Sequence, residues 1–145
     1  METILKPFNL FWICLLLHLI ADYTLQGCLA DLKQKRWWSI QLKKFYDSFD
    51  KKYQTYELKH KIIQKYKNDY MSGLLCHAAM WSILTFLPLM FLCSQRVFAL
   101  VVICNLFVHF VVDHMKANMH VINLNQDQLL HLQQIFITLI VVRFI

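Results

Sequence analysis

Three apolar stretches of this chain each carry a histidine and an aspartate four residues apart. His18 and Asp22 lie in HLIAD, His109 and Asp113 in HFVVDHMK, and Asp127 and His131, in reversed order, in DQLLH. Four residues is one helical turn, so both side chains of a pair project from one helix face. Ionisable groups in sequence apolar enough to enter a bilayer are costly there and mark functional positions. Outside a central basic segment the acids are Glu2, Asp22, Asp113 and Asp127, so every acid associated with an apolar run has a histidine at this spacing. Any fold must turn these faces towards one another.

A chain of 145 residues is one domain by length, but 58% hydrophobic residues with two glycines and two prolines do not describe an ordinary soluble one. Apolar runs at about 8–29, 73–93, 97–113 and 127–143 come near the roughly 20 residues that cross a hydrocarbon core. The expected fold class is all-α: an integral membrane four-helix bundle forming a single domain, 1–145, with an additional amphipathic helix at the cytoplasmic surface or interface. Pro88 is expected to kink the second span. Asn68, Asp69 or Ser72 is expected to cap the second span, and Asn125 the fourth.

Residues 31–70 hold eleven Lys/Arg against five acids, a surplus equal to the whole chain's net charge of +6. Cytoplasmic loops are enriched in Lys and Arg, which assigns this segment to the cytoplasmic side of a multi-pass inner-membrane protein and against anionic lipid headgroups. No nucleic-acid motif competes for the charge. Within it Leu42, Phe45, Phe49, Tyr53, Tyr56, His60 and Ile63 recur every three or four residues, the pattern of one amphipathic surface helix, with Trp37 and Trp38 as interfacial anchors. A helical hairpin would carry the same pattern. LQGC, Leu25 to Cys28, resembles a lipoprotein cleavage box, but cleavage there would send the basic segment outward, so the first run is read as a retained span. The five cysteines show no CxxC spacing, and neither GxSxG, a Walker loop nor HExxH occurs, which argues against serine hydrolysis and nucleotide hydrolysis of the familiar kinds.

The reversed pair in the fourth run restores a common vertical order. With spans one and three running towards the cytoplasm and span four away from it, the aspartates lie outward and the histidines about 6 Å deeper. His77, in the second run, falls at a similar depth, while counting puts His18 nearer mid-membrane. Imidazole and carboxylate together suit a divalent cation, zinc first, with manganese or iron also compatible. The expected ligands are His18, Asp22, His77, His109, Asp113, Asp127 and His131, enough for one ion with an outer shell or for two ions. Asp127 is the expected proton acceptor, Lys116 a holder of Asp113 or of a phosphate oxygen, and Gln26, one turn beyond Asp22, a support behind the ligands or a substrate contact. His114 and His120 fall in the following loop.

HLIADYTLQ, LLCHAAMWS, HFVVDHMK and DQLLH resemble a family of small uncharacterised polytopic membrane proteins of bacteria and phages with an HxxxDYxLQ signature. The resemblance touches all four runs and leaves the basic segment without a counterpart. More distantly, the His-Asp spacing is similar to that of YdjM-like membrane-bound metal-dependent hydrolases and to the helical HxxxD of zinc-dependent phospholipase C enzymes. It implies that the seven residues are ligands or their immediate neighbours, and that the reaction is hydrolysis of a lipid-type phosphate or acyl ester at the cytoplasmic face. The residues leave open a non-catalytic protein whose cluster is structural and which binds a membrane partner, either a host protein or a second copy. Ion transport finds no internal repeat to support it.

Overall fold

Among residues 7–144, which the computed structural model describes, the chain is helical throughout and contains no strand. Helix α1 (Pro7–Leu19) runs without interruption into a π-helical turn, Ile20–Thr24, closed by the Leu25 N–H donating to the Ile20 carbonyl at 2.9 Å. Gly27 then adopts φ +44°, a left-handed conformation that reverses the chain into the single turn α2 (Leu29–Leu32). The first helical run therefore stops at Thr24 rather than reaching residue 29.

The basic segment forms two helices, α3 (Lys35–Asp47) and α4 (Tyr56–Tyr66), which pack against each other as a hairpin. A single helix through residues 42–63 is not what forms. Ser48 Oγ donates to the Phe45 carbonyl at 2.7 Å and Gln54 Nε2 to the Phe49 carbonyl at 2.7 Å. Side chains that bond nearby backbone in this way compete with the helical ladder. Thr55 restarts the helix by accepting from the Leu58 N–H at 3.2 Å.

Helix α5 (Asp69–Phe86) follows from Asn68 and ends two residues before Pro88, whose ring cannot continue an α-helix; Leu87–Phe91 tightens into a 3₁₀ turn. Ser94 caps α6 (Gln95–Ala117). Helix α7 (Leu124–Arg143) is started by Asn123, not Asn125. The Gln126 N–H donates to Asn123 Oδ1 at 2.9 Å and the Asn123 N–H to Gln126 Oε1 at 3.0 Å, a reciprocal capping box.

Helices α1, α5, α6 and α7 close a ring in which each packs against its two neighbours, with α2 laid against α5. One end of the interior is apolar, built from Cys14, Trp81, Phe86, Leu89 and Ile135. The other end holds the ionisable residues. Among the described residues as many polar or charged side chains are buried as apolar ones, while Leu100, Ile103 and Phe107 of α6 and Phe136 and Ile137 of α7 are exposed. So large a polar share of the interior is unusual for a water-soluble domain. The stretches Tyr56–Phe91 and Gln95–Ala117 contain helix long and apolar enough to cross a membrane, and Asn9–Thr24 is apolar but shorter. Helix α7, expected as a fourth span, does not reach that hydropathy, because its first half, LNQDQLLHLQQ, is too polar.

Candidate metal centre

Asp22 from the π-turn, His77 from α5, His109 and Asp113 from α6, and Asp127 and His131 from α7 converge inside the ring, none more than 6% exposed. The π-turn widens the helix by one residue at Asp22, and such turns recur at functional positions. His77 Nε2 lies 3.3 Å from Asp22 Oδ1 and 3.2 Å from Asp113 Oδ2. His109 Nε2 lies 3.2 Å from His77 Nε2 and 3.8 Å from Asp113 Oδ2. On the other side of Asp113, His131 Nε2 is 3.6 Å from Asp113 Oδ1 and 3.3 Å from Asp127 Oδ1. Asp113 is thus shared, one oxygen towards His77 and His109, the other towards His131. Carboxylates and imidazoles interleave here, Asp22 and Asp113 each within 3.3 Å of His77 Nε2 and Asp127 within 3.3 Å of His131 Nε2.

Stacking holds the imidazoles. His109 is stacked between Trp81, at 4.1 Å between ring centroids, and His131, at 4.2 Å. The Nδ1 atoms of His77, His109 and His131 have no hydrogen-bond partner, so packing rather than an outer hydrogen-bonding shell sets their orientation.

His18 does not join this set. The Trp81 indole N–H can only donate, and it donates to His18 Nδ1 at 2.7 Å, which leaves the ring proton on Nε2 facing Gln128 Oε1 at 3.1 Å. Both nitrogens are spent, and His18 lies outside the groups whose ligand atoms come within 4.8 Å of one another. His18, expected as a ligand, is placed instead beside the cluster, where it holds Gln128. The Gln128 amide in turn donates to Asp22 Oδ2 at 3.0 Å and to Asp127 Oδ2 at 3.2 Å.

Two lysines complete the centre. Lys33 Nζ donates to Asp113 Oδ2 at 2.6 Å with both side chains buried. Lys116 reaches Asp127 Oδ2 at 2.5 Å instead of Asp113. Asp127 Oδ2 is thus engaged by an ammonium and an amide, while Oδ1, facing His131 Nε2 at 3.3 Å, makes no hydrogen bond. Gln26 Nε2 donates to Asp22 Oδ1 at 3.2 Å, the one-turn contact its spacing suggested.

Lys33, Gln128 and Trp81 were absent from the sequence-derived site. Trp81 had a signal, lying one turn after His77, and Gln128 adjoins Asp127. Lys33 had none, being one of eleven cations in a basic run.

The donor set fits a divalent cation. His131 Nε2 lies 3.6 Å from Asp113 Oδ1 and 3.3 Å from Asp127 Oδ1, and all three atoms are buried without a hydrogen bond. Buried polar atoms are rarely left so. Among the described residues three groups could hold an ion: Asp22 with His77 and His109, His109 with Asp113 and His131, and Asp22 with Asp127 and His131. With neutral imidazoles, three carboxylates against two ammonium groups leave one net negative charge in the interior.

Compared with protein-family models, with curated proteins and with solved structures, the chain matches none.

Proposed function

We propose that the chain is a multi-pass inner-membrane protein, a four-helix bundle of α1, α5, α6 and α7 that binds a divalent metal and hydrolyses a phosphate ester of lipid type at the cytoplasmic face. The observation that carries the metal is the buried His/Asp cluster itself, whose ligand atoms come within 4.8 Å of one another in three overlapping groups among the described residues, with His131 Nε2, Asp113 Oδ1 and Asp127 Oδ1 making no hydrogen bond. The apolar exterior supports the membrane, with α1 and the apolar half of α7 crossing beside the two longer spans. Zinc suits imidazole with carboxylate, and manganese or iron would also be accepted.

Charge discriminates among the options. One divalent ion would bring the buried total from −1 to +1. Two would bring it to +3, which an anionic phosphoryl group offsets and a neutral acyl ester does not. A bound divalent ion supplies Lewis acidity and a more acidic water. The chain's own residues would fix the carboxylates, through Lys33 on Asp113, Lys116 on Asp127, and Gln26 and Gln128 on Asp22. Lys116, the less buried of the two lysines, is the one positioned to meet a phosphate oxygen at the rim.

A second reading, a non-catalytic protein whose metal fixes the fold and which acts by binding a membrane partner, is favoured by one observation. The six ligands are almost wholly buried, whereas a catalytic metal keeps an open position. Metal analysis of the detergent-purified protein beside His109→Ala tests both. About one or more equivalents of zinc, manganese or iron per chain, falling at least tenfold in the variant, is expected; no metal in either overturns the proposal. A hydrolase would then retain its fold and lose turnover in Asp127→Asn, whereas a structural centre would lose the fold.

A further inference from the structure

The hairpin of α3 and α4 encloses a cleft of about 260 Å³ that the metal centre does not use. Its rim carries Lys35 and Lys43 from α3, Lys59 from α4 and Lys67 just past the end of α4, and no carboxylate lines it. Its floor is apolar and aromatic, with Leu42, Tyr46, Ile62 and Tyr66 facing inward and Trp38 as a wall. The indole is pinned there by its N–H donating to the Leu32 carbonyl at 2.8 Å. Lys59 Nζ lies over the Tyr46 ring at 5.8 Å from its centroid, so one rim ammonium is already drawn over the floor.

The cleft is tied to the ends of the apolar helices. The Lys35 N–H donates to Asn118 Oδ1 at 2.7 Å, just past the end of α6, and Lys67 leads directly through Asn68 into α5. On the membrane reading this is the headgroup level. A ring of ammonium groups above an apolar floor matches a molecule with an anionic head and a tail, since a small anion would leave the floor wet.

We infer that the α3–α4 cleft binds the headgroup and first methylenes of an anionic phospholipid from the surrounding leaflet. The lysines meet the phosphate and the floor receives the proximal chain. This depends on the membrane reading but not on the metal, and failure of either leaves the other standing.

The test uses the full-length protein, delipidated in detergent, titrated by native mass spectrometry. The probes are phosphatidylglycerol, phosphatidylcholine with the same acyl chains, and glycerophosphoglycerol, the headgroup without tails. Each nearby lysine adds to the attraction towards an anionic lipid surface. Lys43→Gln/Lys59→Gln should therefore weaken phosphatidylglycerol binding at least tenfold, to the level of phosphatidylcholine, with helix content and metal content unchanged. Lys51→Gln/Lys52→Gln, the same charge change in the hairpin turn, should preserve most of the preference. Ile63→Glu, which puts a carboxylate at the mouth, should reproduce the loss in an independent background. Equal affinity for the two lipids, equal affinity for glycerophosphoglycerol, or an equal loss in the turn variant would each overturn the inference.

Discussion

Lys33 shows how far a charge pattern can mislead at a single position. Its neighbours in the basic run face outward, whereas its ammonium is buried against Asp113, 80 residues away. Removing one partner of a buried pair leaves the other charge stranded, at a cost of about 3–5 kcal/mol. Lys33→Met should lower the thermal midpoint accordingly, and adding Asp113→Asn should recover part of the loss. A Lys33→Met protein as stable as wild type would mean that the pair contributes nothing. The histidines and aspartates were legible because each pair is local and its spacing is a property of one helix. What each residue touches was not. His77 turned out to face Asp22 and Asp113, and His18 gave both nitrogens to Trp81 and Gln128. Those partners belong to other helices, and no single periodicity encodes them.

Elements show the same division between local and distant causes. Apolar runs, the stop at Pro88 and the polar hairpin turn all have local chemistry behind them, although unbroken apolar spacing across Phe49, Tyr53 and Tyr56 concealed the turn. The packing of α2 against α5 depends on Gly73, where an added Cβ would stand 2.6 Å from the Leu32 carbonyl oxygen. That oxygen also accepts from Trp38, and the next carbonyl, of Lys33, accepts from Asn118 Nδ2 at 3.0 Å. The backbone there has little room to retreat. Gly73→Ala should cost about 1–3 kcal/mol by overpacking. Because Lys33 adjoins Leu32, it should also loosen the ammonium from Asp113. Circular dichroism melting reads the first effect, and reduced metal retention under chelator reads the second; an unchanged melt would show that α2 moves aside freely.

For the molecule as a whole, the basic hairpin at the polar end of the four-helix ring sets the topology to be tested. Ser48 lies in the exposed turn of the basic hairpin. In a background with the native cysteines replaced, Ser48→Cys should resist a membrane-impermeant thiol reagent in intact cells and react once the inner membrane is opened. Labelling in intact cells would place the hairpin outside and remove the cytoplasmic assignment. Gln128 has one further consequence at this scale. It joins His18 and Asp22 near the start of the chain to Asp127 near its end, across sequence separations of 110 and 106 residues. Those early side chains must therefore wait, during synthesis, until the final helix has left the ribosome. If the proposed membrane reading holds, a nascent protein arrested before α7 would carry Asp22 into the bilayer without this amide, and so would be an early target for membrane quality control.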